Sequence, residues 1–487
     1  MHPRRLALTT FALPFLFAAC SSDSNGGGNV PVYTATAPDQ STDGSQPSGS
    51  NEMGGNVSES PGTDAPMSGG NDSAAGSNGE SNPVAELQQP GDAPANGATE
   101  TETETETGVA PAPFECILPD LPDPQNLTYV NEKLPDPFTF LNGTKVTTKE
   151  QWDCRRKEIL AIAERYLYAP VPPAPDAVTG TVNGGAIAIQ ATVGGTTANF
   201  TANISGTGDA IVVGGNIPGG NKSLTFGAGF EGQIQNLFGF SELNPNIARG
   251  WMIDRVMDVL EQNPGSGHDP QRLVVTGCSG CGKGSLLTGV FSRVPVTVII
   301  ESGGGGATSF RQVEWFRNGE GQSVWTCPDG PPQGIDNLED NGICGPWVTS
   351  AARFFRDNPE RVVNLPMDQH LLLATIAPRY LVHFTNDNGN GWCHLGGTSE
   401  ALAAYAAKPV WNALGVPERM GFQMYNAFHC GASDAQTALI GEMLRLAFNG
   451  DTSANTNVLN ILPNGVQQPV SEWNDMWIDW DMETVLQ

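Results

Sequence analysis

The chain has 487 residues, with 52 acidic and 24 basic side chains and a formal net charge of −28 at pH 7. Because a strongly acidic surface is repelled by phosphate backbones, this charge argues against nucleic acid as a partner. Eight cysteines follow Cys20, and an even number is typical of disulfide-bonded proteins from an oxidising compartment.

The first twenty residues have the pattern of a secretory signal peptide. A basic leader, MHPRR, precedes the apolar run LALTTFALPFLFAAC, which is too short for a membrane-spanning helix. LFAAC followed by two serines also resembles a bacterial lipoprotein box, in which the cysteine is lipidated. We therefore predict a lipoprotein signal peptide over 1–20, a lipid anchor at Cys20, and a location at the bacterial cell surface or outer membrane. Plain secretion is the alternative.

The next segment, 21–112, is rich in Gly, Ser, Asn, Pro and Thr and includes the run TETETETE. It contains one aromatic residue, Tyr33, and no Lys or Arg. Such a segment buries too little apolar surface to offset the entropy lost on ordering. We predict a disordered, acidic, low-complexity tether between the anchor and a folded domain over 113–487.

The domain alternates patterns of two kinds. A helix is predicted within 147–170, which begins with threonines and precedes a proline, and β-hairpins within 177–204, where glycine pairs divide β-rich runs. Further strands (DAIVVGGN, DPQRLVVTG, VTVII, RYLVHFTND, GFQMYN) alternate with helices (NIARGWMIDRVMDVLEQNP, KGSLLTGVFSRV, EALAAYAAKPVWNALG, DAQTALIGEMLRLAFNG). This predicts an α/β fold with a mostly parallel sheet covered on both faces, and chemistry at the carboxyl ends of the strands.

The stretch TGCSGCGKGS, 276–285, nearly matches three motifs. A phosphate-binding loop needs Ser or Thr directly after Lys283, but Gly284 stands there. A C-x-x-C pair, Cys278 and Cys281, is typical of a redox site, or of a zinc site completed by Cys393 and His394. The alternative is that Cys278 and Cys281 belong to separate structural disulfides.

The third motif, the serine-hydrolase turn G-x-S-x-G, explains more of the pattern. Ser279 lies between a predicted strand and a predicted helix, where a tight turn exposes its hydroxyl. The backbone N–H of Gly280 then points to where an oxyanion forms. Cys281 takes the place of the last glycine, a position that needs a small side chain.

A serine nucleophile needs a base and an acid. Among the downstream histidines (His370, His383, His394, His429), His429 follows the last predicted strand, as the base does in the chain order Ser, acid, His of α/β-hydrolases. Two carboxylates, Glu301 and Asp387, each end a strand, and the pattern alone leaves both open as the acid.

Five segments of the chain resemble one enzyme family: KLPDPFTFLNGTKVTTKEQWDCRRKEI, DPQRLVVTGCSGCGKGS, ESGGGG, NLPMDQHLLLATIAPRYLV and MGFQMYNAFHC. They are similar to the glucuronoyl esterases, carbohydrate esterase family fifteen, and span about 116–450. The resemblance implies a three-layer α/β-hydrolase sandwich and a Ser-Glu-His triad. It also implies cleavage of the ester between the 4-O-methyl-glucuronic acid of glucuronoxylan and lignin alcohols.

Residue by residue, the resemblance implies Ser279 as the nucleophile, His429 as the base and Glu301, rather than Asp387, as the acid. The substrate-binding residues that it implies are Lys283, Gln322, Glu339 and Trp392. One departure stands out, because the family has an arginine where this chain has Gly280, and that side chain helps to stabilise the oxyanion. Loss of one such donor typically lowers the rate by about 10²–10³.

The resemblance also implies disulfides. The family joins cysteines at the positions of Cys278 and Cys430, and its N-terminal pair falls on Cys116 and Cys154. For the remaining four cysteines we expect the pairs Cys327–Cys344 and Cys281–Cys393.

The sequence thus predicts a serine carboxylic ester hydrolase acting on plant cell-wall polysaccharide, with no metal or organic cofactor, and expected to be a monomer. A related carbohydrate esterase that removes acetyl groups is an alternative. A second alternative is a non-catalytic carbohydrate-binding surface lipoprotein, which the loss of the arginine at Gly280 would favour.

Overall fold

The computed structural model describes residues 114–487, apart from 329, 339–346, 387–392, 427–428 and 432. The predicted signal peptide over 1–20 and the predicted tether over 21–112 lie outside the described residues. Within the described part of the chain, no helix combines the length and the apolar character needed to cross a membrane.

The strands and helices of this part occur in the following order along the chain. The strands are β1 (Ala177–Asn183), β2 (Ala186–Val193), β3 (Thr196–Gly206), β4 (Ala210–Val213), β5 (Asn221–Phe226), β6 (Leu273–Cys278), β7 (Val296–Ile300), β8 (Tyr380–Asn386), β9 (Met420–Tyr425) and β10 (Leu459–Asn460). The helices are α1 (Lys149–Ala163), α2 (Phe230–Phe238), α3 (Pro245–Gln262), α4 (Gly280–Val290), α5 (Phe310–Arg317), α6 (Gly319–Gln322), α7 (Arg353–Asp357), α8 (Gln369–Ala374), α9 (Gly397–Ala413), α10 (Asp434–Asn449) and α11 (Trp473–Trp477).

Local sequence sets several helix ends. Thr148 forms a capping box with Gln151 at the start of α1, as the predicted threonine start requires. Ser433 and Gln436 form the same arrangement at the start of α10. Each pair satisfies backbone N–H groups that a helix start would otherwise leave without a partner.

The described strands form one sheet in the order β1-β2-β3-β5-β4-β6-β7-β8-β9-β10. The pairs β1–β2, β2–β3 and β3–β5 are antiparallel, and every pair from β5–β4 to β9–β10 is parallel. The antiparallel part contains the predicted hairpins. The sheet is therefore mostly parallel, as predicted.

Helices cover both faces of the parallel part, because its strands are apolar on both sides. On one face Leu273 and Val275 of β6 pack in a cluster with residues of α3. On the other face Val274 of β6 and Phe384 of β8 pack in a cluster with α10. Helices α4 and α9 join the main cluster with β7 and β9. The result is three layers. Because β6, β7 and β9 are parallel strands of one sheet, their carboxyl ends lie at the same end of the sheet.

The C-terminal tail packs against residues near the start of the domain. Trp473 and Trp477 of α11 are buried in the main cluster. The carbonyl oxygen of Gln487 accepts a hydrogen bond from the N–H of Lys149 at 3.0 Å, and the carbonyl of Trp477 accepts one from Leu134 at 2.9 Å. The buried apolar side chains of the tail are thus part of the core.

Candidate active site

The turn between β6 and α4 carries Ser279 in a conformation that is uncommon for a residue with a side chain. Its φ is +58° and its ψ is −124°, a backbone state that typically costs about 1–3 kcal/mol. Its N–H donates to the carbonyl oxygens of Ile300 and Glu301 at 3.0 and 3.1 Å. These bonds hold the strained turn against the end of β7, with the serine partly exposed.

Helix α4 must approach the sheet closely for this turn to form. A Cβ on Gly282 would lie 2.6 Å from the carbonyl oxygen of Ile300, so only glycine fits there. Gly280 is the first residue of the helix and is buried. Its N–H, one of the unpaired donors at a helix start, is the group expected to face an oxyanion.

Glu301 follows β7 directly and is 2 % exposed. Its φ is +42°, again in the left-handed region. Its Oε2 lies 3.1 Å from Nδ1 of His429 and accepts a hydrogen bond from the N–H of Cys430 at 2.5 Å. Because a carboxylate only accepts, Nδ1 carries the proton in this contact, and Nε2 is then the ring nitrogen that can take a proton.

The loop after β9 is tied to the nucleophile turn by a disulfide. Cys278 and Cys430 are bonded, with an S–S distance of 2.02 Å and a Cα–Cα distance of 5.6 Å. Ser279 directly follows one of these cysteines and His429 directly precedes the other. The disulfide therefore brings the serine and the histidine to the same end of the sheet, beside Glu301.

The same four side chains, Cys278, Glu301, His429 and Cys430, have ligand atoms within 4.8 Å of one another. Such a group can hold a metal ion only if its sulfurs are thiolates. Here the two sulfurs are bonded to each other, which leaves one carboxylate and one imidazole. The cluster fits a hydrolytic acid and base better than a metal site.

Lys283 lies one turn along α4 from the serine, and its side chain is almost fully buried. Its Nζ is 4.1 Å from the ring centroid of Trp347, a cation–π contact. Burial lowers the pKa of Lys283 to about 8, against the opposing effect of the Glu400 charge. A buried cation therefore faces an aromatic ring near the nucleophile turn.

Three residues of this region carry no motif that would identify them from the sequence. Trp347 contacts the ammonium group of Lys283, and the charge of Glu400 acts on it. Tyr425 is the last residue of β9 and is close enough to Glu301 to feel its charge. The pKa of Tyr425 is raised, first by burial and then by the charge of Glu301. Only Glu400 has a recognisable sequence context: it ends the stretch TSE (398–400) and lies in the first turn of a predicted helix.

The other predicted site residues are placed as follows. The amide of the exposed Gln322 donates to the carbonyl of Arg317 at 2.5 Å, and its role in a sugar pocket stays a prediction. Glu339, Trp392 and the alternative acid Asp387 lie outside the described residues.

Two of the other histidines are buried. His370 has Nε2 2.8 Å from the carbonyl oxygen of Pro135 and stacks on Trp480, and burial lowers its pKa to about 4. His383 packs against Phe422 within the sheet. Both positions agree with structural roles. His394 lies in a short helical turn, and its carbonyl oxygen accepts a hydrogen bond from the N–H of Gln333.

The expected pairs Cys327–Cys344 and Cys281–Cys393 are wrong, because Cys327 is bonded to Cys393. The segment after α6 folds against the turn after β8, where the N–H of Gln333 donates to His394 at 2.9 Å. This packing, which spacing along the chain cannot reveal, brings the two sulfurs together. Cys281 is also disulfide-bonded, and Cys344 lies outside the described residues. The Cys116–Cys154 bond is present as expected.

Comparison with known proteins identifies the family. The family model described as "Glucuronyl esterase, fungi" matches residues 223–415. A 4-O-methyl-glucuronoyl methylesterase of Schizophyllum commune is 31% identical over 387 residues, which cover 73% of this chain and 92% of the relative. The chain belongs to the glucuronoyl esterase family.

Solved structures agree with this membership. The glucuronoyl esterase catalytic domain of Hypocrea jecorina matches with a TM-score of 0.61 and 28% identity, covering 75% of this chain and 100% of that one. A serine-to-alanine mutant of the Sporotrichum thermophile glucuronoyl esterase, in complex with methyl 4-O-methyl-beta-D-glucopyranuronate, matches with a TM-score of 0.61 and 31% identity. It covers 74% of this chain and 98% of that one. The predicted α/β-hydrolase fold is thereby confirmed.

We expect the Cys278–Cys430 disulfide to hold the reacting groups in place. In the double variant Cys278→Ser/Cys430→Ser, the loop that carries His429 is no longer fixed to the turn that carries Ser279. Since small displacements of reacting groups lower rates steeply, we expect the reaction with a fluorophosphonate probe to slow by about tenfold or more. The measurement is the second-order rate constant of labelling, taken below the melting temperature of the variant.

The control is the double variant Cys116→Ser/Cys154→Ser, which removes a disulfide at the start of the domain. It should lower the melting temperature and leave the labelling rate unchanged. Equal labelling rates in both double variants would show that the Cys278–Cys430 bond has no part in arranging the reacting groups.

Proposed function

We propose that this member of the family is a serine esterase that cleaves esters between 4-O-methyl-glucuronic acid of glucuronoxylan and lignin alcohols. The observation that carries the proposal is the contact of Glu301 with His429, next to a disulfide that joins the neighbours of His429 and Ser279. The names of the relatives, and the sugar ester bound in one of them, supply the substrate class.

In the proposed mechanism, Ser279 attacks the ester carbonyl while Nε2 of His429 takes its proton. Glu301 holds the imidazole in the tautomer with the proton on Nδ1 and stabilises the imidazolium. Collapse of the tetrahedral intermediate releases the alcohol, which receives that proton, and leaves the sugar acid esterified to the serine. Water then attacks this acyl-enzyme by the same steps, which frees the acid and restores the hydroxyl.

The oxyanion of the intermediate needs hydrogen-bond donors. The N–H of Gly280 stands at the start of α4, where the helix dipole also favours negative charge. The family arginine is replaced here by a residue without a side chain. This difference supports a slower enzyme, or one with a different preference among carbohydrate esters, and it is the reason to test acetylated xylan beside glucuronate esters.

Lys283 is the proposed sugar-binding cation. Its ammonium group is held over the ring of Trp347 and has lost most of its contact with water. Because a buried ammonium group has lost its water partners, a hydrogen bond to a sugar hydroxyl or a carbonyl oxygen stabilises it strongly. Glu400 supplies the opposite charge that favours its protonated form.

The main test of the proposal compares the wild type with Ser279→Ala on benzyl glucuronate. Loss of the nucleophile should lower kcat by about 10⁴-fold or more. Ser285→Ala is the matched control, because this buried serine lies on the same helix and its hydroxyl donates to the carbonyl of Cys281 at 2.9 Å. It should retain wild-type kcat.

Two results would redirect the proposal. Faster release of acetate from acetylated xylan than of benzyl alcohol from the glucuronate ester would make the chain an acetyl esterase. Sugar binding that survives Ser279→Ala, with turnover of neither ester by the wild type, would make it a carbohydrate-binding protein.

The lowered pKa of Lys283 predicts a pH-dependent affinity. The ammonium is charged below about pH 8 and loses its proton as the pH rises through that value. We therefore expect KM for benzyl glucuronate to rise several-fold between about pH 7 and pH 9.5. In Lys283→Gln, KM should be high at both values and nearly constant.

Lys408 is a matched control for this experiment. Burial also lowers the pKa of Lys408 to about 8. Its Nζ donates to the carbonyl oxygens of Pro417 and Met420 at the amino end of β9, the end of the strand opposite to the proposed site. Lys408→Gln should keep the wild-type rise in KM. If the wild-type KM stays flat across this range, Lys283 does not bind the substrate as a cation.

Export and anchoring form a separate proposal, which rests on the leader sequence and on the disulfides of the domain. Disulfides persist in oxidising compartments, which supports a secreted protein. Lipidation at Cys20 would further attach it to a bacterial membrane. In a bacterial host that processes lipoproteins, Cys20→Ala should move the protein from the membrane fraction to the soluble fraction. An unchanged distribution would exclude the anchor.

A further inference from the structure

The turn that follows the proposed triad acid depends on a second buried carboxylate. Glu301 has a positive φ, and its side chain already serves His429 and Cys430. A strained backbone of this kind persists only where the surrounding contacts fix it. The backbone N–H of Glu301 donates to the carbonyl oxygen of Phe384, and its carbonyl oxygen accepts from the N–H of Ser279. The residues immediately after Glu301 make additional contacts.

Glu400 provides them. Its Oε1 accepts a hydrogen bond from the hydroxyl of Ser302 and one from the N–H of Gly303 at 2.6 Å. The Ser302 hydroxyl accepts in turn from the N–H of Ala307 at 2.8 Å. One carboxylate oxygen therefore holds the two residues that follow the acid, and through Ser302 it also fixes the far side of the ESGGGG loop.

The position of Glu400 suits an ionised group. It lies in the first turn of α9, where the helix dipole favours negative charge, and it is 1 % exposed. Burial opposes its ionisation, but His383 and hydrogen bonds from Ser302 and Thr385 outweigh this, and the pKa of Glu400 is lowered. Nε2 of His383 lies 3.8 Å away, beyond hydrogen-bond distance.

The loop leaves little room for another arrangement. Gly303 has a φ of +64°, and a Cβ there would lie 3.1 Å from Leu395, so the backbone passes this point closely packed. The hydroxyl of Ser302 and the carboxylate of Glu400 are both shielded from water. A buried donor that lost its acceptor here would have no solvent to replace it.

We propose that Glu400 is a positioning residue for the triad: by holding Ser302 and Gly303 it keeps Glu301 in the conformation that meets His429. This inference rests on the proposed function, in which Glu301 orients the base. The hydrogen bonds of Glu400 go to Ser302 and Gly303, not to Ser279 or His429, so its effect on kcat is transmitted through Glu301.

A double-mutant cycle tests this proposal. Glu400→Gln keeps the size of the side chain but removes the charge, and we expect it to lower kcat for benzyl glucuronate by about tenfold. In the Glu301→Ala background the same substitution should change kcat by less than about twofold, because the residue on which it acts is gone. Since Glu400 also faces Lys283, KM is not used in this comparison.

Two further variants separate positioning from stability. Glu158→Gln is the matched control, because Glu158 is a buried carboxylate that accepts from Arg155 and from the N–H of Leu141 in another part of the domain. It should lower the melting temperature and leave kcat unchanged. Ser302→Ala removes one donor and spares the carboxylate, so it should reduce kcat in the same direction and show the same dependence on Glu301.

The rate of labelling by a fluorophosphonate gives a second readout that does not require the proposed ester. If the wild type is labelled but cleaves no glucuronate ester, the proposed substrate is wrong, and the cycle is completed on labelling rates. An equal loss from Glu400→Gln with and without Glu301 would overturn the positioning role, and so would an unchanged rate. Should Glu400→Gln not fold, the cycle with Ser302→Ala decides. A wild type that does neither reaction overturns both proposals.

Discussion

The arrangement of this site depends on one carboxylate oxygen. Oε2 of Glu301 accepts from the ring of His429 and from the backbone of Cys430, so it joins the end of β7 to the loop after β9. The carbonyl of the same residue accepts from the N–H of Ser279. A single residue at the end of a strand therefore connects all three parts of the proposed triad.

The backbone around this point is strained in a consistent way. Ser279, Glu301 and Cys430 are the non-glycine residues with positive φ in the described part of the chain, and all three belong to the site. Strain at several neighbouring residues needs contacts that fix each of them. The disulfide from Cys278 to Cys430, the backbone bonds of Ser279 and the bonds from Glu400 to the loop after Glu301 provide such contacts.

The electrostatics of the site balance two carboxylates against one buried cation. Glu301 lies on the side of the histidine, and Glu400 on the side of Lys283. In the described part of this region, Lys283 supplies a buried positive charge, held over the ring of Trp347. The net charge of −28 describes the whole chain and does not predict the charges at this site.

The sequence by itself determined the class of fold, because strand and helix periodicity follow from which side chains can be buried. It also determined the place of the tight turn at Ser279, since a serine between a buried strand and a glycine-rich helix start needs such a turn. Tertiary structure decided the rest. It brought Glu301 to His429, paired Cys327 with Cys393 instead of the expected partners, and set Glu400 behind the acid. These contacts join residues far apart in the chain, and no local pattern encodes which distant segments pack together.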